Sequence, residues 1–298
     1  MAMQRVFITG SNGLVGSYVV AQFLKDGYEV FASSRTGDLS AFNSHKNYRF
    51  IQVDFADPFA LHDAFEFVQP NVVVHCGAMS RPDDCELSQA EAFDTNVYGT
   101  VQLLLNAEAF QSFFIFLSTD FIFDGKKGLY TELDEPAPLS YYGRTKRDAE
   151  EAVMEYQYGW SIVRTSFVYG KPIYGRNCFV SMIAQKLRSG TAFKIVDDQY
   201  RTPTHATDLA RGMAVIAAER KEGVFNLAGE SVVTPYQMAI ATAEYLKVTN
   251  HQLTAVTTEE LQEATRRPAK GGLSIEKAKA ELNYSPICFE EGLALTLT

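Results

Sequence analysis

Tyr142 and Lys146 form the one Tyr-x-x-x-Lys spacing in the 298-residue chain, and this pair could do acid–base chemistry. On a helix, residues four apart lie on the same face, so the phenol and the ammonium would point the same way. A free tyrosine titrates at about pH 10, and a cation beside it brings its pKa towards neutrality. The spacing therefore indicates a proton donor. The alternative, two solvated residues on a surface helix, stays open at this point.

A glycine-rich turn follows the first predicted strand and precedes a predicted helix. Its pattern is G-x-x-G-x-x-G, in which glycines let backbone N–H groups approach a pyrophosphate at the N-terminus of the helix. This position predicts a dinucleotide site rather than an ordinary turn. The expected cofactor contacts are Gly10, Ser11, Asn12, Gly13, Leu14, Val15 and Gly16.

The end of the second predicted strand bears on which cofactor is used. An NAD-selective site usually has a carboxylate there to accept from the ribose 2′-hydroxyl. This chain has Ser34 and Arg35 instead, which suit a 2′-phosphate. NADP(H) is therefore favoured, with NAD(H) as the alternative. Asp54 and Phe55 follow the third strand and are expected on the cofactor, although Asp54 could equally cap its own turn.

Short β-rich runs alternate with longer helical patterns through the first two-thirds of the chain. The predicted strands are Arg5–Thr9, Glu29–Ser33, Arg49–Val53, Val72–Cys76, Phe113–Ser118 and Trp160–Arg164. The predicted helices are Leu14–Asp26, Pro58–Val68, Glu91–Ala109, Ser140–Tyr158, Phe179–Arg188, Asp208–Ala218, Tyr236–Lys247 and Ile275–Leu282. This order predicts an α/β fold with a doubly wound, Rossmann-like parallel sheet.

The alternation weakens after about residue 170, which indicates a change of domain. We expect a dinucleotide-binding domain over residues 1–170, to which residues 205–228 return. A smaller α+β C-terminal lobe over 171–204 and 229–298 is expected to bind the substrate.

Composition excludes several classes of function. The net charge of −9 argues against nucleic acid or an anionic membrane as the main partner. No apolar stretch is long enough to span a membrane, and the N-terminus has no signal-peptide pattern, so a cytoplasmic protein is expected. The four cysteines show no C-x-x-C pair and the five histidines no H-x-x-x-H spacing, which favours reduced thiols and no metal.

Further segments of the chain carry a resemblance to a known family. They are Gly77-Ala-Met-Ser-Arg-Pro-Asp83, Asn96 in Asp-Thr-Asn-Val-Tyr-Gly, Leu117-Ser-Thr119-Asp, Pro138 to Lys146, Arg164 to Gly170, Gln199 to Thr204, and Arg267-Pro268. With the glycine turn and the Tyr/Lys pair, they make the chain resemble the extended short-chain dehydrogenase/reductases. Within these, it most resembles the dTDP-4-dehydrorhamnose reductase family. The match runs nearly end to end and in order.

The resemblance implies a carbonyl-reducing site. Thr119 would hydrogen-bond the substrate oxygen, Tyr142 would donate the proton, and Lys146 would hold the nicotinamide ribose and lower the pKa of the tyrosine. Further implied cofactor contacts are Cys76, Gly77, Ala78, Asn96 and Val168. Implied substrate contacts are Ser80, Asp83, Thr119, Asp120, Asn177, Gln199, Arg201 and Arg267, the last facing a pyrophosphate.

The chain departs from the family pattern at two places in the predicted substrate lobe. Arg201 stands where many of these reductases have a glycine, and Lys270-Gly271 stands where they have Asn-Ser. Both departures leave the redox chemistry intact and bear on the identity of the sugar.

The expected function is NADP(H)-dependent reduction of a nucleotide-linked 4-keto-6-deoxy sugar. One alternative is a non-catalytic, NADP-binding regulatory subunit, since residues 199–205 resemble that segment of the methionine adenosyltransferase β subunit. Another is a nucleotide-sugar epimerase or dehydratase. The expected partner is a small nucleotide sugar, without nucleic acid or membrane, and a homodimer is left open.

Overall fold

A seven-stranded sheet forms the centre of the protein, as a computed structural model shows for residues 3–173 and 178–298. The strands of the chain are β1 (Arg5–Thr9), β2 (Glu29–Ser34), β3 (Tyr48–Gln52), β4 (Val72–His75), β5 (Phe113–Thr119), β6 (Trp160–Thr165), β7 (Val168–Tyr169), β8 (Phe193–Val196), β9 (Thr204–His205), β10 (Gly223–Asn226) and β11 (Leu253–Val256). The order in the sheet is β10-β6-β5-β4-β1-β2-β3, with every pair parallel.

Helices connect the strands and cover both faces of the sheet. They are α1 (Leu14–Lys25), α2 (Pro58–Val68), α3 (Pro82–Leu87), α4 (Gln89–Phe93), α5 (Gly99–Ala109), α6 (Tyr141–Met154), α7 (Phe179–Ser189), α8 (Ala206–Glu219), α9 (Pro235–Tyr245), α10 (Thr258–Leu261), α11 (Glu276–Leu282) and α12 (Phe289–Leu297). No helix among the described residues is long and apolar enough to cross a membrane.

The sheet is covered on both sides because its central strands are apolar on both faces. All four residues of β4 are buried, and β5 buries six of its seven. One hydrophobic cluster packs α1 and α8 against one face, and a second packs α2, α5 and α6 against the other. The predicted α/β fold with a Rossmann-like parallel sheet is therefore confirmed.

Smaller elements lie outside this sheet. Strands β8 and β11 pair in parallel, and α7 and α9 share a hydrophobic cluster with them. In contrast, α8 packs on α1, and β10 pairs with β6, so this stretch joins the main sheet as expected. The boundaries of a separate substrate lobe stay a prediction.

The structure differs from the sequence prediction in several helices. The helix expected over 91–109 contains a π-helical segment, Asp94–Tyr98, between α4 and α5. Helix α6 ends at Met154 rather than Tyr158, because the chain then turns into the buried strand β6. Helices α3 and α12 were not predicted, since each is short and its apolar pattern is weak.

Candidate active site

The predicted site residues converge on the carboxyl edge of the sheet, where ligands bind in open α/β folds. The turn after β1 carries the glycines, β2 ends at Ser34, and β5 ends at Thr119. A cleft of about 350 Å³ opens at this edge. Its walls include eight residues that were predicted to bind cofactor or substrate: Gly10, Ser34, Arg35, Asp54, Phe55, Gly77, Ala78 and Ser80.

A second, larger cavity of about 500 Å³ lies away from this edge, where α1 and α8 meet. Its lining includes Gln22, Asp26, Tyr28 and Arg211. None of the predicted site residues that the structure describes lines this cavity, so the smaller cleft is the candidate cofactor site, and Thr119 lies at the same edge of the sheet.

The glycine turn is built so that side chains have no room. Gly10 has a φ of +67°, which favours glycine, and a Cβ there would lie 2.6 Å from the Gly77 nitrogen. A Cβ on Gly16 would lie 2.2 Å from the carbonyl oxygen of Gly10. Gly13 is the N-cap of helix α1, and its position provides no side chain to bond the first N–H groups of the helix. A close-packed backbone turn at an uncapped helix N-terminus fits the pyrophosphate of a dinucleotide.

The other residues of this turn mostly make contacts within the protein. Ser11 is buried, and its Oγ donates to the Ser33 carbonyl at 3.1 Å. Asn12 donates to Thr36 Oγ1 and to the Gly37 carbonyl, and so ties down the loop after β2. Leu14 and Val15 pack against hydrophobic clusters. These contacts shape the turn rather than line it.

Arg35 is an exposed cation on the wall of the cleft. Arg35 is two-thirds exposed, and its Nη1 lies 4.0 Å from Glu91 Oε1, which is also exposed. Asp54 accepts from the Ala56 nitrogen at 3.0 Å, so it does cap its own turn. The Phe55 ring packs against Gly77, where a Cβ would lie 2.5 Å from the ring. Cys76 is partly exposed and follows β4, and Val168 packs against the main cluster.

Tyr142 lies in the first turn of α6, which Ser140 caps by accepting from the Gly143 nitrogen. The tyrosine ring is partly buried and packs edge-on against Phe121, with centroids 5.7 Å apart. Burial raises the pKa of Tyr142, and a hydrogen bond with Thr119 opposes that shift. Tyr142 therefore lies beside Thr119 at the end of β5, and the role of the two residues on a carbonyl stays a prediction.

Lys146 lies one turn further along α6 and is almost fully buried. Its Nζ donates to the Leu117 carbonyl at 2.7 Å and lies 3.9 Å from the centre of the Phe116 ring. Burial lowers the pKa of Lys146 from 10.5 to about 7, although the nearby Glu150 carboxylate raises it. The lysine therefore changes charge near neutral pH.

The predicted effect of Lys146 on the pKa of Tyr142 stays a prediction. The pKa of Tyr142 is raised in this structure, because burial outweighs the other influences on the phenol. The lysine itself is only half charged near pH 7 and its ammonium points to a β5 carbonyl. Spacing placed both residues on one helix face and could not reveal how deeply they are buried.

Asn96 connects Met79, which lines the cleft, to helix α6, which carries Tyr142. It lies in the π-helical segment and is 1% exposed. Its Oδ1 accepts from the Met79 nitrogen at 2.8 Å, and its Nδ2 donates to the Met79 carbonyl and to Thr145 Oγ1. Thr145 in turn donates to the carbonyl of Tyr142 at 2.9 Å. The asparagine is thus positioned to fix the loop and α6 relative to each other.

Asp120 directly follows Thr119 and lies 1% exposed behind it. Its Oδ2 accepts from Ser166 Oγ at 2.7 Å and from the Gly272 nitrogen at 3.3 Å. The carboxylate therefore ties the end of β5 to a distant loop and is not open to the cleft.

Two of the implied substrate contacts, Gln199 and Arg201, bond to each other and to other groups of the protein. Arg201, 2% exposed, donates to the carbonyls of Tyr200 and Pro268 and to Gln199 Oε1. Gln199, 3% exposed, donates to Thr258 and to Glu263 Oε2. Direct contact of either with substrate stays a prediction, and in this structure both are buried and paired. Ser80 is exposed at the cleft, and Asn177 lies outside the described residues.

Two buried features of the site were not predicted from the sequence. His75 is buried at the end of β4, bonded to Thr9 Oγ1 and Thr100 Oγ1, and burial lowers its pKa well below 6.5. Glu150 and Arg164 form a buried ion pair at 2.7 Å beneath Lys146. Glu150 follows Lys146 by four residues, which was a usable signal, whereas the His75 contacts join distant segments.

The parallel sheet, the glycine turn and the Tyr142–Lys146 pair define a protein of the short-chain dehydrogenase/reductase type. Residues 3–298 match the family model of the RmlD substrate binding domain. The chain belongs to this family.

Proteins named for different activities are similar to this chain in sequence or in fold. The mouse (Mus musculus) methionine adenosyltransferase 2 subunit beta is 32% identical over 92% of this chain and 81% of its own length. The probable low-salt glycan biosynthesis reductase Agl14 of Haloferax volcanii is 29% identical over 97% of this chain and 95% of its own. The crystal structure of dTDP-4-dehydrorhamnose reductase from Bacillus anthracis in complex with NADP has a TM-score of 0.86 at 24% identity, covering 98% of both chains.

Proposed function

We propose that the protein is an NADP(H)-dependent reductase of a nucleotide-linked 4-keto-6-deoxy sugar. The observation that carries this is the meeting of Thr119 and Tyr142 at the carboxyl end of β5, on the same edge of the sheet as the glycine turn after β1. A hydroxyl pair of this kind can hold and protonate a ketone oxygen. The relatives named as reductases support the same chemistry.

In the proposed reaction the residues of this chain act on the carbonyl oxygen. When bound, NADPH supplies the hydride. Thr119 holds the ketone oxygen by a hydrogen bond, and Tyr142 transfers its phenolic proton to that oxygen as the carbon is reduced. The carbonyl carbon gains the hydride and the oxygen gains the proton of Tyr142, so the ketone becomes a secondary alcohol. Tyr142 regains its proton from solvent before the next turnover.

The raised pKa of Tyr142 suits a proton donor. A phenol that stays protonated at neutral pH is in the right state to give its proton to an alkoxide that forms beside it. Lys146, with a pKa of about 7, adds positive charge below that pH and so favours the developing phenolate. Lys146 is also proposed to hold the nicotinamide ribose.

The cofactor preference in this proposal rests on the end of β2. Arg35 is exposed there, next to Ser34, and no carboxylate follows β2 until Asp38. A guanidinium and a hydroxyl are suitable partners for a 2′-phosphate. NADP(H) is proposed over NAD(H) for this reason, and the NADP bound to the Bacillus anthracis structure agrees with it.

A second candidate function is non-catalytic regulation. The mouse relative, named as a subunit of methionine adenosyltransferase, favours it because it is 32% identical. Arg201 is also buried and donates three hydrogen bonds within the protein, which leaves it less available to a sugar. Such a protein would bind NADP and a partner chain without reducing anything.

Consumption of NADPH distinguishes these functions. The purified chain is given NADPH and a dTDP-4-keto-6-deoxy sugar, and cofactor oxidation is followed by absorbance. We expect steady, sugar-dependent oxidation. Tight NADPH binding without oxidation, together with co-purification of a synthetase-like partner, would favour regulation. Conversion of the sugar without net cofactor use would favour an epimerase or dehydratase.

The assembly and the compartment also belong to the proposal. All four cysteines are free thiols, which supports a reducing, cytoplasmic environment. A homodimer is proposed for the working assembly. Light scattering of the purified chain tests the dimer, and cell fractionation tests the compartment.

A further inference from the structure

An ion pair joins helix α3, which lies beside the cleft, to the C-terminal part of the chain. Asp83 lies in α3, close to the cleft residue Ser80. Arg267 follows α10 in the chain, and its Nη2 donates to Asp83 Oδ2 at 3.0 Å. The two residues are 184 positions apart, so this contact is tertiary. It joins two residues that were both expected to contact the substrate.

The arginine is held near the reaction site by its own loop. Pro268 and Ala269 pack on Gly125, where a Cβ would lie 2.6 Å from both. The Lys270 nitrogen also donates to the Gly125 carbonyl at 2.8 Å. Gly125 belongs to the loop that follows Thr119 and Asp120. The guanidinium of Arg267 therefore has a fixed place at the rim of the proposed carbonyl site.

Two carboxylates neutralise this guanidinium. Besides Asp83, Glu263 places its Oε1 2.9 Å from Arg267 Nε. Glu263 is further fixed by Gln199, which donates to its other oxygen, and its side chain is 13% exposed. Asp83 is 36% exposed and its Oδ1 has no hydrogen-bond partner among the described residues. Asp83 is thus the more loosely held of the two anions.

We propose that Asp83 is an internal anion that occupies Arg267 until the diphosphate of a nucleotide sugar displaces it. The inference rests on the proposed function for the identity of the ligand. A diphosphate can accept two parallel hydrogen bonds from a guanidinium, which a single Asp83 oxygen does not. It carries more negative charge as well, so it competes well for the arginine. With Asp83 still in place, carboxylate and diphosphate would repel each other.

Asp83 therefore sets the affinity and the selectivity of the site rather than contributing to binding. A ligand with a single weak charge does not displace it, whereas a nucleoside diphosphate does. This reverses the role expected from sequence, in which Asp83 was a substrate contact.

Titration calorimetry with dTDP and UDP as probes tests the inference. The variants are Asp83→Asn, which keeps the shape and removes the charge, and Arg267→Met. Asp84→Asn is the matched control, because it removes the same charge from the same helix and its partner is the neighbouring Arg81. We expect Asp83→Asn to bind at least one nucleotide about fivefold more tightly than the wild type, as for loss of one exposed competing ion pair. Asp84→Asn should change affinity less than about twofold, and Arg267→Met should abolish binding.

The inference is overturned if Asp83→Asn binds both nucleotides no better than the wild type, or if Asp84→Asn gains as much. Absence of nucleotide binding in both the wild type and Asp83→Asn also overturns it. NADPH oxidation with a keto sugar is measured separately on the wild type. A tighter Asp83→Asn complex without reductase activity would leave this inference standing and remove the proposed function, and the opposite result would do the reverse.

Discussion

Lys146 is the residue at which burial and charge oppose each other most directly. It is 3% exposed, and its positive charge is supported mainly by Glu150, whose carboxylate also pairs with Arg164. The pair spacing with Tyr142 could be predicted from sequence because it is local to one helix. The depth of burial could not, because it depends on β5 and α3, which are distant in the chain.

The lowered pKa of Lys146 has a consequence for stability. Its pKa is about 7 in the folded protein and 10.5 ordinarily, so the unfolded chain binds more protons between those values. Below about pH 7 the buried lysine is charged, and the cost of burying that charge lowers the free energy of unfolding in full. This cost disappears as the pH rises towards 10. We expect the wild type to gain about 2–4 kcal/mol of unfolding free energy over this range relative to Lys146→Met. Denaturant unfolding at several pH values measures this.

Lys194→Met is the control for that series, since Lys194 is exposed on β8. Its difference from the wild type should stay flat with pH. A flat difference for Lys146→Met as well would mean that the lysine is not buried as described.

The π-helical segment between α4 and α5 places Asn96 where a regular helix would not. Segments of this kind occur often at functional sites, because they turn one side chain out of register. The sequence analysis predicted a continuous helix over 91–109, because the apolar pattern does not reveal the extra residue in the π-helical turn. The role of Asn96 in supporting the site was implied by resemblance alone.

Replacing Asn96 tests whether this segment holds the cleft together. Asn96→Ala removes the side-chain partner of the part-buried Met79 N–H and one of the two side-chain donors to the Met79 carbonyl, the other being Cys85 Sγ. We expect a loss of about 2–4 kcal/mol in unfolding free energy. Asn106→Ala on α5 is the matched control, because it loses one bond to the Gln102 carbonyl and should cost less than about 1 kcal/mol. Equal losses in urea unfolding would contradict the bridging role of Asn96.

The glycine turn is the element that the sequence predicted best, because its spacing reflects contacts within one short loop. The structure adds which glycine is most constrained. A Cβ on Gly16 would meet the carbonyl oxygen of Gly10, which belongs to the backbone of the turn and cannot move aside.

Gly16→Ala is therefore expected to distort the turn and weaken NADPH binding by at least about tenfold. Gly37→Ala serves as the control, since its Cβ would meet nothing within 4 Å. Fluorescence titration with NADPH gives both affinities. Wild-type affinity in Gly16→Ala would show that the cofactor does not use this turn.

At the scale of the whole molecule, the parallel sheet brings chemistry from five separate segments to one edge. The parallel direction of the strands could be predicted from the β-α-β-α pattern, because crossover helices make parallel neighbours. The order of the strands and the contacts of Arg201, Gln199 and Arg267 could not, because they depend on segments that are distant in the chain.

Transfer of deuterium from labelled NADPH tests the reductase proposal most directly. The wild type and Tyr142→Phe are incubated with a dTDP-4-keto-6-deoxy sugar and with NADPH that carries deuterium at the position of the transferred hydride. The mass of the product is measured by mass spectrometry. The proposal predicts one deuterium in the reduced sugar and a rate at least about 100-fold lower in Tyr142→Phe, with Tyr141→Phe near the wild-type rate. An unlabelled product, no product, or an unchanged rate in Tyr142→Phe would contradict it.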